Sequence, residues 1–375
     1  MTDQEYMLRA VQLAKKGEGW TNPNPMVGAV IVKDGRIIGE GYHKKYGELH
    51  AERNAIASLT ESAEGAVIYV TLEPCCHHGK TPPCTEAIIE QKIRKVVIGS
   101  RDPNPKVAGK GVQMLREAGV TVVEDFMREE CDQLNPVFFH YIITKTPYVV
   151  MKYAMTLDGK IATKTGASKW ITGEAARKEV QHMRHQYMGI MAGIGTVLAD
   201  DPMLNVRVEG WKSPVRIVCD SKLRIPPDSK IVKSAEKYRT IVAYADQKNT
   251  EEKIKILHTM GVETIYCPDE KNQIDLKKLM TDLGSKGIDS ILLEGGGTLN
   301  DSALRAGIVK EVQAFVAPKL FGGVAGKTPV EGIGVEFPSE AVELKYTDIC
   351  QIGEDIRIRC QVCEKKQEES CLQES

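Results

Sequence analysis

The stretch PCCHHGKTPPC, Pro74 to Cys84, packs three cysteines and two histidines into a chain that holds ten cysteines and eight histidines in all. Upstream lies LHAERNAIA, Leu49 to Ala57, where His50 and Glu52 stand at the opening of an apolar helical pattern. Residues two apart do not share a helix face, yet both can address one point that lies off the helix N-terminus. Cys84 has a matching setting, with Pro82-Pro83 before it and the apolar pattern TEAIIE after it, while Cys75 follows the strand-like run AVIYVTLE. A thiolate at a helix start is favoured by the unpaired backbone amides there and becomes a good metal ligand.

His50, Cys75 and Cys84 thus make a three-ligand zinc site whose fourth position is left for water, and zinc makes such a water nucleophilic near neutral pH. Glu52, beside the site but outside its ligand set, is then the proton shuttle from water to a leaving amine, which is the chemistry of hydrolytic deamination. A structural zinc would be closed by a fourth protein ligand, from Cys76, His77 or His78. Such a knuckle has no use for Glu52, and Cys76 is a poor partner for Cys75 because successive side chains diverge.

The chain around this cluster is 375 residues long, 42% hydrophobic and 27% charged, which suits two ordinary globular domains. Lys and Arg number 18 against 19 Asp and Glu through Lys145, and 32 against 32 beyond it. Neither part is a basic module for gripping a phosphate backbone, so a small substrate is expected and nucleic acid is not. No signal-peptide core or membrane-length apolar run occurs, and ten cysteines are too few for a disulfide scaffold; a cytoplasmic protein is expected.

Apolar runs alternate with helical patterns throughout, which predicts α/β folds with mixed or parallel sheets. MVGAVIVK and RIIGEGYH flank Asp34-Gly35 and predict a hairpin with a primed turn. AVIYVTLE, KVVIGS and VTVVED complete the first set of strands, with helices over 4–16, after His50, after Cys84 and over 109–118. The segment from Phe126 reads as a closing helix interrupted at Asn135-Pro136, and Pro147 marks the boundary: residues 1–145 form a first domain and 146–363 a second. The second carries strand-like runs at YVVMKYAMTLDGKIAT, VRIVCD, TIVAYA, ETIYCP, DSILLEGGG and VQAFVAPKL, with helices over 174–187, 251–260, 276–286 and 299–306. The polar stretch 364–375 reads as an unstructured tail.

The residues H-A-E at 50–52 with P-C and a later cysteine resemble the zinc-dependent nucleoside and nucleotide deaminases. Eight residues separate Cys75 from Cys84, more than the two usual in that motif. The longer form, with TNPNPMVGAVIV upstream, resembles the deaminase half of the bifunctional RibD family of riboflavin biosynthesis. In the second domain no GxGxxG follows a strand. KYAMTLDGKIAT, SKWITG, GIGTVLADDPMLNVR and EGGGTLN instead stand in the order and spacing of that family's reductase half. The resemblance spans about residues 3–362. It implies a cytidine-deaminase-like domain with helices on both faces of a mixed sheet, then a dihydrofolate-reductase-like domain. It also implies two reactions: deamination of 2,5-diamino-6-ribosylamino-4(3H)-pyrimidinone 5′-phosphate, then NADPH-dependent reduction of 5-amino-6-(5-phosphoribosylamino)uracil to the ribityl product.

Carried over by position, the resemblance assigns Ala154, Trp170, Thr196, Asp200, Ser221 and the turn Gly296, Gly297, Thr298, Leu299, Asn300, Asp301, Ser302 to the dinucleotide. Ser168, Arg184, Leu204, Arg207 and Glu294 fall to the substrate. Arg184 and Arg207 suit bidentate phosphate recognition, and Trp170 suits packing on a flat ring. Lys152 is a candidate for polarising the opened sugar carbonyl, set against the plainer reading of a surface lysine. Asn24, His43 and Lys80 are candidates for the first pocket, again against a surface role. His77 is implied to shape that pocket, while His78 is expected to face solvent. Cys360 and Cys363, three apart on a strand, point to opposite faces and are read as non-functional. Trp20 and Trp211 are expected to pack in or near loops. One zinc, one NADPH, a phosphorylated pyrimidine and a homo-oligomer complete the expectation; the competing readings are a free-nucleoside or tRNA deaminase with an accessory domain, and a structural zinc knuckle.

Overall fold

The structure, a computed structural model, describes residues 1–77, 82–104, 107–248, 250–324 and 326–363. His78 and Lys80 of the opening stretch and the tail 364–375 lie outside the described residues.

The first part runs α1 Asp3–Ala14, β1 Gly28–Lys33, β2 Arg36–Tyr42, α2 Ala51–Ala57, β3 Val67–Leu72, α3 Cys84–Glu90, β4 Lys95–Ser100, α4 Lys110–Glu117, β5 Thr121–Val123, α5 Arg128–Asp132 and α6 Pro136–Thr144. Thr2 opens α1 through a reciprocal capping box with Glu5. The β1–β2 turn places both Asp34 (φ 50°) and Gly35 (φ 74°) in the left-handed region, as a primed hairpin turn requires. The sheet order is β2-β1-β3-β4-β5, antiparallel around β1 and parallel from β3 onward. One face packs Ala51, Ala55, Ile88, Val112 and Leu115 from α2, α3 and α4; the other packs Met7, Ala10 and Ala14 of α1 with Cys131 of α5. The expected mixed sheet covered on both faces is therefore observed.

The second part continues with β6 Tyr148–Thr156, α7 Glu174–Gln186, β7 Gly189–Gly193, α8 Ile194–Asp200, β8 Val215–Cys219, α9 Lys230–Lys233, β9 Thr240–Tyr244 and α10 Glu251–Thr259. It ends with β10 Val262–Tyr266, α11 Leu276–Ser285, β11 Ser290–Leu293, α12 Gly297–Arg305, β12 Val309–Ala317, β13 Leu344–Ile352 and β14 Asp355–Val362. The nine strands lie in the order β10-β9-β8-β7-β11-β6-β12-β14-β13. Neighbours are parallel from β10 through β12, and the β13–β14 hairpin closes the sheet antiparallel. The buried parallel strands read as continuous apolar runs, as strands covered on both faces must. The strand order reverses direction between β11 and β7, and the carboxyl ends of β11, β7 and β8 come together there, where open α/β sheets place their ligands.

The two parts touch through specific polar contacts. Asn22 Nδ2 donates to the buried Asp289 carboxylate at 2.9 Å, and Tyr141 Oη donates to the Gly284 carbonyl at 3.0 Å. The His182 ring lies 3.2 Å from Glu18, and His185 meets Trp20 edge-on and stacks on Trp211. Both tryptophans thus pack from loops, as expected.

Candidate functional sites

The first site is assembled at the openings of α2 and α3. Helix α2 lies directly on β2 because two of that strand's residues are glycines: a Cβ on Gly41 would stand 2.2 Å from the Ala55 nitrogen and one on Gly39 2.5 Å from its carbonyl. His50 sits at the N-cap position of α2. Its Nδ1 is 3.5 Å from Cys75 Sγ and 3.5 Å from Cys84 Sγ. Cys75 is anchored at the start of α3, its carbonyl accepting from the Cys84 and Thr85 amides at 3.1 and 3.2 Å and its sulfur from the Cys84 amide at 3.4 Å. The three donor atoms lie within 4.8 Å of one another, the one such trio among the described residues.

The electrostatics match a cation site. The Cys75 thiol is drawn down to about 4 by its hydrogen bond with Cys84, then by His50 and the Cys84 amide, with burial opposing. Cys84, held in the same bond and fully buried, is pushed up. His50 is raised by its hydrogen bond to Cys75. Glu52 is 3% exposed and outside the trio; burial and the negative Cys75 push its carboxyl up to about 7, against a hydrogen bond with Cys84. An imidazole with two sulfurs is a donor set that suits zinc, and no fourth protein donor joins it among the described residues.

His43 is 2% exposed, which sets aside the surface alternative. Its ring packs edge-on to His50 with centroids 5.3 Å apart. Burial lowers its pKa, so it is a neutral ring whose Nδ1 lies 3.1 Å from the Leu49 carbonyl and whose Nε2 lies 3.2 Å from Asn24 Nδ2. A donor Nδ1 and an acceptor Nε2 satisfy both contacts. His77 is exposed. Two supporting residues went unread in the sequence. Arg53 donates to the Pro82 and Pro83 carbonyls at 3.0 and 2.8 Å and so fixes the approach to Cys84. Glu73 accepts from the Gly109 and Val112 amides at the start of α4. Their signals were local: a basic residue directly after Glu52, and an acid closing an apolar strand.

The second site is a cleft of about 690 Å³ at the carboxyl ends of β11, β7 and β8. It brings together Ser168, Thr196, Asp200, Ser221, Gly296, Gly297, Thr298, Leu299 and Ser302 of the sequence-assigned set. The glycines divide their work. A Cβ on Gly297 would strike Glu331 at 2.4 Å and the Thr328 carbonyl at 2.7 Å, so that position must be bare for packing. A Cβ on Gly296 would meet only Thr196 Oγ1 at 3.8 Å and would project into the cleft. A bare backbone turn opening a helix is what close approach of a phosphate needs, so the cleft fits a dinucleotide. Asn300 and Asp301 are turned elsewhere: Asn300 Nδ2 donates to the Pro329 carbonyl at 2.8 Å, and Asp301 pairs with Arg305. Ala154 and Trp170 are not among the lining residues; Trp170 is 59% exposed, with the Arg177 guanidinium 4.7 Å over its ring.

Beside the cleft, Arg184 grips Glu294 with two parallel bonds of 2.8 and 2.9 Å and donates to the Asn205 carbonyl at 3.1 Å. Its guanidinium is thereby committed to a carboxylate within the protein, whereas the sequence reading gave it to a phosphate. Lys152 Nζ lies 4.0 Å from Glu294 and its side chain is only 12% exposed, which corrects the surface-lysine reading. Burial lowers the Lys152 pKa, with Glu294 opposing. Burial would raise Glu294, but Arg184 and Lys152 outweigh it and hold the carboxyl down at about 2. Leu204 is buried with φ 48°, and Arg207 is exposed, its amide donating to Gln181 at 2.8 Å. Cys360 is buried and Cys363 exposed, consistent with opposite faces.

Residues 1–100 match the family model described as the cytidine and deoxycytidylate deaminase zinc-binding region, and residues 147–358 match the RibD C-terminal domain. The chain is 57% identical to the riboflavin biosynthesis protein RibD of Actinobacillus pleuropneumoniae, over 95% of this chain and 94% of that one. It is 40% identical to the RibD of Escherichia coli K12, over 95% and 98%. Among solved structures, RibD of Acinetobacter baumannii superposes with a TM-score of 0.87 at 39% identity, covering 96% of this chain and 99% of that one. A deaminase/reductase of Thermotoga maritima gives 0.86 at 39%, covering 96% and 98%. With both halves matched and full-length relatives well above the level at which fold and family are shared, the chain belongs to the RibD family of bifunctional, zinc- and NADPH-dependent enzymes of riboflavin biosynthesis.

Proposed function

We propose that the family's two reactions divide between the two sites: residues 1–145 remove the 2-amino group of 2,5-diamino-6-ribosylamino-4(3H)-pyrimidinone 5′-phosphate, and residues 146–363 reduce the ribosyl chain of the deaminated product. The carrying observation is the buried Glu52 beside His50, Cys75 and Cys84. In this reading His50, Cys75 and Cys84 hold the zinc, which when bound supplies Lewis acidity. Glu52, with its carboxyl near neutrality, both accepts and releases a proton at working pH. It takes one from the attacking water and delivers it to the departing amine, while His43 supports the His50 ring from behind.

In the second site Thr196, Asp200, Ser221 and the Gly296–Ser302 turn hold the dinucleotide, with Ala154 and Trp170 as outlying contacts. NADPH supplies the hydride when bound. Ser168, Leu204, Arg207 and Glu294 are assigned to the phosphorylated substrate, with Arg184 fixing Glu294. Lys152, whose charged form Glu294 favours, steadies the negative charge left on the ring oxygen as the C1′–O bond opens and C1′ takes the hydride. The test is an assay of the purified chain that records ammonia release and NADPH oxidation separately, alongside metal analysis. Both activities and one zinc per chain are expected; NADPH oxidation that needs no deaminated product would overturn the order of the steps.

A cytoplasmic homo-oligomer belongs to the same proposal. No helix among the described residues is long and apolar enough to cross a membrane. β13 is the edge strand of the large sheet, and Leu344, Tyr346, Ile349 and Ile356 of its hairpin are exposed. An uncovered apolar edge of this kind invites pairing with a second copy. Tyr346→Glu with Ile349→Glu is expected to convert the oligomer to monomers in sedimentation equilibrium; an unchanged mass would place the contact elsewhere.

A further inference from the structure

Residues 18–24 lead from the helical region of α1 toward β1 and belong to no helix or strand. Their own backbone bonds are turns: the Trp20 and Thr21 amides donate to the Gly17 carbonyl at 3.0 and 3.2 Å, and the Asn24 amide to the Thr21 carbonyl at 2.8 Å. A segment without ladder bonds takes its position from what packs against it, and this one is packed from both halves of the chain.

On one side it rests on the second half. His182 Nε2 lies 3.2 Å from Glu18, and Asn22 Nδ2 donates to Asp289 at 2.9 Å. Between them His185, 4% exposed, lays its ring on the backbone of Gly19. A Cβ on Gly19 would stand 2.6 Å from His185 Cδ2 and Nε2, and Gly19 has φ 74°, so the position calls for glycine on two counts. The same ring meets Trp20 edge-on at 4.9 Å. It is fixed within its own half by stacking on Trp211 at 5.1 Å and by the Lys212 amide, which donates to Nδ1 at 3.0 Å.

On the other side the segment carries the first site. The Trp20 carbonyl accepts from the Tyr46 amide at 3.1 Å, and Lys45 Nζ stands 5.9 Å over the Trp20 ring. At the start of the segment a Cβ on Gly17 would lie 2.5 Å from the His43 carbonyl. At its end Asn24 Nδ2 lies 3.2 Å from His43 Nε2, and the His43 ring packs on His50. No residue of the second half belongs to the His50, Cys75 and Cys84 cluster, yet the neighbours of that cluster are seated on a segment that the second half holds.

We infer that His185 is a positioning residue for the first site: by seating Gly19 and Trp20 it sets Asn24 and His43 beside the metal ligands, so the second half serves the deamination as well as its own reaction. This rests on the reading of the first site as the deaminase. In the full chain, His185→Ala is expected to lower kcat/KM for ammonia release by about 10–10²-fold, the cost of site groups displaced by up to about 1 Å. The loss should lie in KM, with kcat nearly kept and zinc retained. His185→Phe keeps a ring against Gly19 and both tryptophans and is expected to recover most of it. Leu257→Ala, which opens a cavity in the fully buried face of α10, is expected to lower thermal stability and leave KM unchanged, which separates positioning from a general loss of stability. Should His185→Ala not fold, His182→Ala, at a ring 37% exposed, carries the same expectation with a smaller rise in KM.

A second readout needs no substrate. In 15N-histidine spectra the His43 ring signals are expected to move in His185→Ala and to return in His185→Phe. Unmoved His43 signals, an unchanged KM, or a KM raised as much by Leu257→Ala would each overturn the inference. If the unmodified chain releases no ammonia, the deaminase reading fails by itself, and the His43 signals still decide whether His185 sets the site.

Discussion

A Glu52→Gln chain is expected to keep its zinc and its fold while deamination falls by about 10²–10⁴-fold, the range a positioned general acid/base supplies. The substitution keeps size and shape at a position only 3% exposed, so packing is preserved. It leaves His50, Cys75 and Cys84 untouched, and Glu52 is not one of that trio. What it removes is the group that can hold a proton at one moment and surrender it at the next, which the carboxyl does best with its pKa near 7. An amide in the same place still hydrogen-bonds Cys84 but neither accepts nor delivers that proton. Ammonia release, zinc content and NADPH oxidation of supplied deaminated product, measured on one preparation, settle the point. Zinc retained and reduction intact with deamination lost is the expected pattern. Full deamination would remove Glu52 from the proton path, and lost zinc would make it part of the metal site.

How far the sequence could be read follows from where its information is local. The cluster of His50, Cys75 and Cys84 was legible because each member is a rare residue at the edge of a local element: His50 before an apolar helix pattern, Cys75 after a strand, Cys84 after two prolines. The hairpin was legible because Asp34-Gly35 names its own turn. β7 was not, because GIMAG is only five residues long and its bounding glycines, Gly189 and Gly193, fall inside the strand, leaving three apolar residues to mark it between α7 and α8. β13 escaped because LKYTDICQI is exposed along most of its length, so its apolar residues mark no buried face. Lys152 carried a signal that was passed over: a lysine inside YVVMKYAMT interrupts an apolar central strand, and such a position is buried whatever occupies it. Arg184 carried no local signal at all. Its partner Glu294 lies on another strand end, and only the β7–β11 pairing brings α7 to it.

That pair gives the largest expected effect on stability. Glu294→Leu is expected to destabilise the second domain by about 3–5 kcal/mol, the cost of leaving a buried cation unpartnered. Here two cations are stranded together, since Arg184 and Lys152 are 10% and 12% exposed and both face this carboxylate. The pH dependence points the same way. Glu294 is held down at about 2 from its ordinary 4.5, so its stabilisation is complete above about pH 4.5 and is lost as pH falls through 2. A shift of that size corresponds to roughly 3 kcal/mol, in line with the burial argument. Chemical denaturation at pH 7 should therefore show the loss in full, and the difference in stability between the unmodified chain and the variant should shrink as pH falls from 4.5 to 2, while the decline owed to other hydrogen-bonded carboxylates, such as Asp158, remains in both. Adding Arg184→Met to Glu294→Leu removes one of the stranded charges, and much of the stability is expected to return while reduction stays lost. Recovery of both would make the pair purely structural. Failure of the double variant to regain stability would show that Lys152, not Arg184, is the cation that Glu294 chiefly neutralises.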